Sequence, residues 1–78
     1  MALFPIFLKL EGRKILIVGG GKIAEDKIGS VLRTAADLTV VSPQITDGIR
    51  EWARLGRLKY IAGAYEIGMV RGHFLVIA

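Results

Sequence analysis

The sequence contains no cysteine, only two prolines and no apolar run long enough to cross a membrane. The absence of cysteine excludes disulfides and cysteine-ligated metal sites, and it is compatible with a reducing cytoplasm. The apolar opening, Met1 to Leu8, lacks a basic leader and a small-residue cleavage site, and Lys9 interrupts it. Other apolar runs reach about five residues, against the roughly 20 that a bilayer requires. We therefore expect a soluble, cytoplasmic protein without a membrane partner.

The positive charge is not concentrated in one segment. Eleven lysines and arginines against seven acidic residues give a formal charge of +4. The basic residues form no run and are not interleaved with aromatic residues, as a nucleic-acid surface would require. We therefore expect no nucleic-acid partner, and interpret the charge as a solvated surface that also attracts small anionic ligands.

Apolar clusters alternate between strand and helix patterns along the chain. Hydrophobic residues make up 53% of the sequence, which indicates a globular protein. Helical spacing from Lys22 places Ala24, Ile28, Val31, Leu32 and Ala35 on one side of a first helix. A second helix begins after a cap at Thr46 or Asp47 and runs to about Leu55, with Gly56 ending it. Predicted strands cover residues 14–18, 38–41, 58–61 and 74–78, with a loop and one possible helical turn over 63–72.

Strands that alternate with helices predict an α/β fold with a parallel sheet and right-handed crossovers. The expected strand order is 3-2-1-4, as in a Rossmann-like sheet, and residues 1–78 form a single domain. Because the sequence stops on a buried type of strand, we expect an incomplete domain from the N-terminal part of a longer protein.

A glycine turn joins the first strand to the first helix. The pattern Gly19-x-Gly21-x-x-Ala24 has the context that dinucleotide-binding turns require, a strand before it and a helix after it. Gly19 permits the sharp turn, Gly21 allows the backbone to approach a pyrophosphate, and Ala24 lets the helix pack closely on the strand. The phosphates would lie at the free N–H groups of the helix. A tight strand-to-helix connection without a ligand is the alternative, whereas the P-loop pattern is absent.

Several neighbouring residues leave alternatives open. Lys22 either binds a phosphate or is a solvated cation compensated by Glu25 and Asp26. Ser42 occupies the position where NAD sites usually have an acidic residue for the ribose 2′-hydroxyl. A serine neither repels nor attracts a 2′-phosphate, so this position does not distinguish NAD from NADP. Pro43 and Gln44 should line the adenosine site with either cofactor.

Three further residues are weaker candidates. His73, the only histidine, has no neighbouring nucleophile or metal-ligand partner in the sequence, so we predict no metal site. Trp52 fits a core position, and Glu66 is interpreted as a solvated loop carboxylate.

The motifs together resemble a known family. Leu3-Phe4-Pro5-Ile6-Phe7-Leu8-Lys9-Leu10, Ile17-Val18-Gly19-Gly20-Gly21-Lys22-Ile23-Ala24, Leu38-Thr39-Val40-Val41-Ser42-Pro43 and Phe74-Leu75-Val76-Ile77-Ala78 are similar to the N-terminal module of siroheme synthase. That family comprises precorrin-2 dehydrogenases, some of which are also sirohydrochlorin ferrochelatases. The resemblance covers nearly the whole chain.

The resemblance implies NAD-dependent oxidation of precorrin-2 to sirohydrochlorin in siroheme biosynthesis. It carries the cofactor contacts onto Gly21, Lys22, Ile23, Pro43 and Gln44, within a predicted NAD site of Gly19, Gly20, Gly21, Lys22, Ile23, Ala24, Ser42, Pro43 and Gln44. The family's acidic catalytic segment should follow Ala78, so no catalytic residue is expected in this chain, and the fragment alone should be inactive. A tetrapyrrole substrate and a homodimer are implied for the full-length parent. The alternative function is a non-catalytic NAD(P)-sensing regulatory module.

Overall fold

The computed structural model describes residues 12–73 and 75–77. Its elements are β1 (Lys14–Val18), α1 (Lys22–Leu32), β2 (Asp37–Ser42), α2 (Asp47–Arg54), β3 (Lys59–Ala62), a 3-10 turn (Ile67–Val70) and β4 (Leu75–Ile77). The expected opening segment Leu3 to Leu10, and the strand residues Phe74 and Ala78, lie outside the described residues. No helix within the described ranges is both long and apolar enough to span a membrane.

The four strands form one parallel sheet in the order β3-β2-β1-β4, which confirms the expected 3-2-1-4 arrangement. β1 is central, with Ile15 opposite Leu38 of β2 on one side and opposite Leu75 of β4 on the other. The chain therefore moves outward from β1 through β2 to β3 and then returns to the other side of β1. This reversal opens a crevice at the carboxyl end of β1, where α/β sheets bind ligands.

The core lies between one face of the sheet and the two helices. Alternate strand residues Ile15, Ile17, Leu38 and Val40 pack with four buried residues, Ile28 and Val31 of α1, Ile49 of α2 and Leu58. Leu16 and Val41, which alternate with them, are also fully buried. β1 is thus buried on both faces, as its continuous apolar sequence predicts.

Helix α1 spans about three turns and ends before Ala35, which the apolar spacing had placed on its buried side. The hydroxyl of Thr34 donates to the carbonyl of Val31 at 2.6 Å and accepts from the backbone N–H of Ala36 at 3.3 Å. This side chain replaces the next helical hydrogen bonds, a competition typical of threonine. Ala35, predicted to lie on the apolar side of the helix, is instead exposed beyond its end.

Helix α2 has a side-chain cap at its start and a glycine after its end. Thr46, rather than Asp47, is the cap, because its hydroxyl oxygen accepts from the backbone N–H of Ile49 at 3.2 Å. Gly56 has φ of 78°, the left-handed conformation that ends helices. Trp52 packs against the core. Leu55 follows the last residue of α2 and is 56% exposed, so it does not contribute to the core.

Replacing Thr46 with alanine should destabilise the fold by about 1 kcal/mol, the usual contribution of such a cap. The thermal midpoint should fall by about 4–8 °C for a chain of this size. Thermal unfolding by circular dichroism measures this change, with Thr46→Ser as the matched variant that keeps the hydroxyl. Equal midpoints for the alanine and serine variants would contradict the capping role.

Candidate functional site

The glycine turn leaves the carboxyl end of β1 at the crevice created by the strand order. Gly19 has φ of 130°, a conformation that side chains rarely adopt, so glycine is required for the change of direction. Its N–H donates to the carbonyl of Val41 at 2.9 Å. The first residue of the turn is therefore still hydrogen-bonded to β2.

Gly20 is buried against the segment that connects β2 to α2. A Cβ atom at this position would lie 2.1 Å from the carbonyl oxygen of Gln44 and 2.8 Å from the Cγ2 atom of Ile45. The carbonyl of Gly20 also accepts from the N–H of Thr46 at 3.0 Å. Gly20 thus holds two sequence-distant segments together, and its missing side chain is a packing requirement.

Gly21 has a different environment, because a Cβ atom there would meet none of the described residues within 4 Å. It is the N-cap of α1, with extended backbone angles and no side-chain hydrogen bond to the helix. The first backbone N–H groups of a helix have no partner within it. The start of α2 has the hydroxyl of Thr46, whereas the start of α1 offers open space and free donors to an anion.

One cleft lies between the glycine turn and the β2–α2 segment. It has a volume of about 420 Å³ and is lined by Gly20, Gly21, Ser42, Pro43, Gln44, Ile45 and Thr46. We call it the first cleft. Pro43 and Gln44 are exposed at its rim, while Ser42 is buried. No charged side chain of the described residues lines it.

The hydroxyl of Ser42 is engaged in shaping the first cleft. It donates to the carbonyl of Gln44 at 2.6 Å, so only its lone pairs remain available. The carbonyl of Ser42 accepts from the hydroxyl of Tyr60 at 2.8 Å and from the N–H of Gly63 at 3.1 Å. The hydroxyl of Ser42 can therefore accept a hydrogen bond from a ligand. It cannot donate one without breaking its bond to Gln44 and so opening the turn.

A second cleft lies on the other side of the turn, beside β1 and the first two turns of α1. Its volume is about 500 Å³, and we call it the second cleft. Its lining is Ile17, Val18, Gly19, Gly21, Lys22, Ile23, Ala24 and Lys27. Ile23 is 74% exposed and presents an apolar side chain at the edge of this cleft. Gly21 lines both clefts and marks where one elongated ligand could pass between them.

Lys22 forms ion pairs with both acidic residues of the first helical turns. Its ammonium lies 3.5 Å from a carboxylate oxygen of Glu25 and 3.5 Å from one of Asp26. Asp26 and then Glu25 contribute most to raising the pKa of Lys22 above its usual value. Such exposed pairs stabilise proteins little, so a phosphate could replace them. Lys22 can thus be paired with these carboxylates in the free protein and can contact a phosphate when a ligand binds.

The structure brings every residue of the predicted NAD site to one or both clefts. Sequence reasoning missed Ile45 and Thr46 in the first cleft, and Ile17, Val18 and Lys27 in the second. The sequence could have indicated Lys27, because it follows Ile23 by four residues and therefore lies on the same face of the helix.

His73 lies away from this site. It lines a polar cleft of about 230 Å³ at the amino ends of the strands, together with residues such as Lys14 and Lys59. Its Nδ1 atom is buried without a hydrogen-bond partner in the described part of the chain. Within the same ranges, no three histidine, aspartate or glutamate residues are grouped as a metal site would require.

Comparison with known proteins relates this site to one group of enzymes. The family model described as "Putative NAD(P)-binding" matches residues 6–78. Siroheme synthase 2 of Serratia proteamaculans is 42% identical over all 78 residues, and siroheme synthase of Methylobacillus flagellatus is 38% identical over the same length. The chain spans 17% of the length of each relative.

A solved structure of the precorrin-2 dehydrogenase SirC superposes on 97% of this chain with a TM-score of 0.88 and 34% sequence identity. The match covers 39% of the SirC chain. The similarity therefore extends from the glycine turn to the whole four-stranded sheet.

Proposed function

Because this chain belongs to the NAD(P)-binding family, we propose that it holds NAD for a precorrin-2 dehydrogenase of siroheme biosynthesis. The observation that carries the proposal is the open position of Gly21, between two clefts and at the uncapped start of α1. A pyrophosphate fits this place because it needs close backbone approach, N–H donors and the positive end of a helix.

The two clefts accommodate the two halves of a dinucleotide. The adenosine half belongs in the first cleft, because in such folds the end of the second strand binds the adenine ribose. The nicotinamide half then extends from Gly21 into the second cleft, where Ile23 and Val18 supply apolar surface. The predicted contacts at Gly19, Gly20, Lys22, Ala24, Ser42, Pro43 and Gln44 belong to the same proposal.

We propose NAD rather than NADP because the first cleft lacks a cation. Sites for NADP commonly place an arginine beside the 2′-phosphate. Among the described residues, the first-cleft lining includes neither arginine nor lysine. The exposed Gln44 can hydrogen-bond a neutral ribose hydroxyl but cannot neutralise a phosphate dianion.

The proposed reaction is oxidation of precorrin-2, for which bound NAD is the hydride acceptor. The chain contributes cofactor binding and orientation, since none of the described residues lining either cleft carries a carboxylate or an imidazole. We propose that acid–base groups, further tetrapyrrole contacts and a homodimer interface come with the remaining length of the siroheme synthases. The comparisons lend no support to the regulatory alternative.

Calorimetric titration of the chain with NAD and with NADP tests the cofactor assignment. We expect NAD to bind at least about tenfold more tightly, because an unpaired phosphate would lose charge-assisted hydrogen bonds that contribute about 1.5–3 kcal/mol. Introducing a cation with Gln44→Arg should reduce this preference. A folded chain that binds neither nucleotide would disprove the cofactor function, and preference for NADP would disprove the choice of NAD.

A further inference from the structure

Within the described ranges, Lys27 is a partly buried lysine without a counter-ion. It belongs to the second turn of α1 and lines the second cleft, whose other lining residues near β1 are the apolar Ile17 and Val18. Across the described residues, its ammonium has neither an ion pair nor a hydrogen bond. A cation at a cleft without charged neighbours attracts anionic ligands into it.

Lys22 provides the contrast on the same helix. Its side chain is 75% exposed and paired with two carboxylates, so it needs no ligand to be stable. Lys27 follows Ile23 by four residues and Ala24 by three, which places all three on one face of α1. That face borders the second cleft, and no carboxylate of a described residue lines the cleft with them.

The backbone of Lys27 lies farther along α1 than the proposed phosphate site. Its Cα atom is six residues after Gly21, or about 9 Å along the helix axis. The first-turn N–H groups and Lys22 are closer to Gly21 and already suit the phosphates. A second, anionic ligand that enters the cleft beside the nicotinamide would therefore meet Lys27 without displacing the phosphates from these donors.

We propose that Lys27 is a substrate-positioning residue whose ammonium binds a carboxylate of the molecule oxidised at the second cleft. This inference rests on the proposed function, because it assumes that the nicotinamide half of NAD occupies that cleft. The class of ligand that fits the second cleft is a polycarboxylate with an apolar ring system, because the cleft combines a lysine with aliphatic walls. Lys27 would fix which edge of such a molecule faces the cofactor.

The experiment compares the chain with Lys27→Met, which keeps most of the side-chain volume but removes the charge. NAD is titrated first, and sirohydrochlorin, the carboxylate-rich product of the proposed reaction, is then titrated at saturating NAD. We expect Lys27→Met to weaken sirohydrochlorin binding by about tenfold or more and to leave NAD affinity unchanged. Lys27→Arg should restore most of the binding, because it restores the charge.

A control variant and a salt series separate a direct contact from a structural effect. Arg50→Met removes one positive charge from an exposed position of α2 that lines neither cleft, and it should change neither affinity. Sirohydrochlorin binding by the unmodified chain should weaken more steeply with salt than binding by Lys27→Met, since salt screens charge pairs.

The alternative outcomes overturn the inference in distinguishable ways. Equal weakening of NAD and sirohydrochlorin by Lys27→Met would assign the ammonium to a cofactor phosphate, and no weakening of either would leave Lys27 without a ligand role. NAD binding without sirohydrochlorin binding by the unmodified chain would refute the substrate contact while leaving the cofactor function intact. Failure of the folded chain to bind NAD would instead refute the proposed function itself.

Discussion

Replacing Gly20 with alanine is expected to destabilise the fold by about 3 kcal/mol or more, the upper range for an overpacked core position. The added methyl group would lie 2.1 Å from the carbonyl oxygen of Gln44, a backbone atom that cannot move without displacing the loop. That loop is fixed by the hydroxyl of Ser42 and by the hydrogen bond from Thr46 to Gly20. Thermal unfolding should show a midpoint about 12–24 °C lower.

Gly68→Ala is the matched control for this substitution. A Cβ atom at Gly68 would meet nothing within 4 Å in the part of the chain that the structure describes, and φ of Gly68 is not in the left-handed region. The same chemical change should therefore have little effect at this position. If Gly20→Ala unfolded at the same temperature as Gly68→Ala, the close contact between the glycine turn and the β2–α2 segment would be disproved.

The parts of the fold that sequence predicted correctly depend on local patterns. The run from Lys14 to Val18 followed by glycines defined β1 and the turn, and the change to helical spacing defined α1. The strand order then followed from right-handed crossovers between parallel strands. Ala35 was wrongly placed on α1 because the apolar spacing continued to it, whereas the side chain of Thr34 ends the helix through its own hydrogen bonds.

The roles of individual site residues required the three-dimensional structure. Three consecutive glycines look equivalent in sequence, yet Gly19 supplies an unusual backbone angle, Gly20 a close contact and Gly21 open space. The difference between Lys22 and Lys27 also depends on burial and ion pairs. Sequence spacing indicates which side chains share a helix face, but not which of them already have partners.

Replacing Gly21 with valine should leave the fold intact while strongly weakening cofactor binding. The backbone at Gly21, with φ of −85° and ψ of −168°, is extended and suits a β-branched residue. Its side chain would project into space where no atom of the described ranges lies within 4 Å of Cβ. In the proposed complex that space belongs to the pyrophosphate, so valine would keep the phosphates away from the N–H donors of α1.

Loss of two charge-assisted hydrogen bonds corresponds to about 3 kcal/mol or more, a weakening of NAD binding by about a hundredfold. Calorimetry measures this directly, and thermal unfolding provides a second readout, because a ligand raises the midpoint only of a protein that binds it. NAD should raise the midpoint of the unmodified chain but not that of Gly21→Val, whereas the smaller Gly21→Ala should retain part of the shift. Unchanged NAD affinity in the valine variant would show that the pyrophosphate does not lie at Gly21, and loss of folding would show that Gly21 is needed for the turn itself.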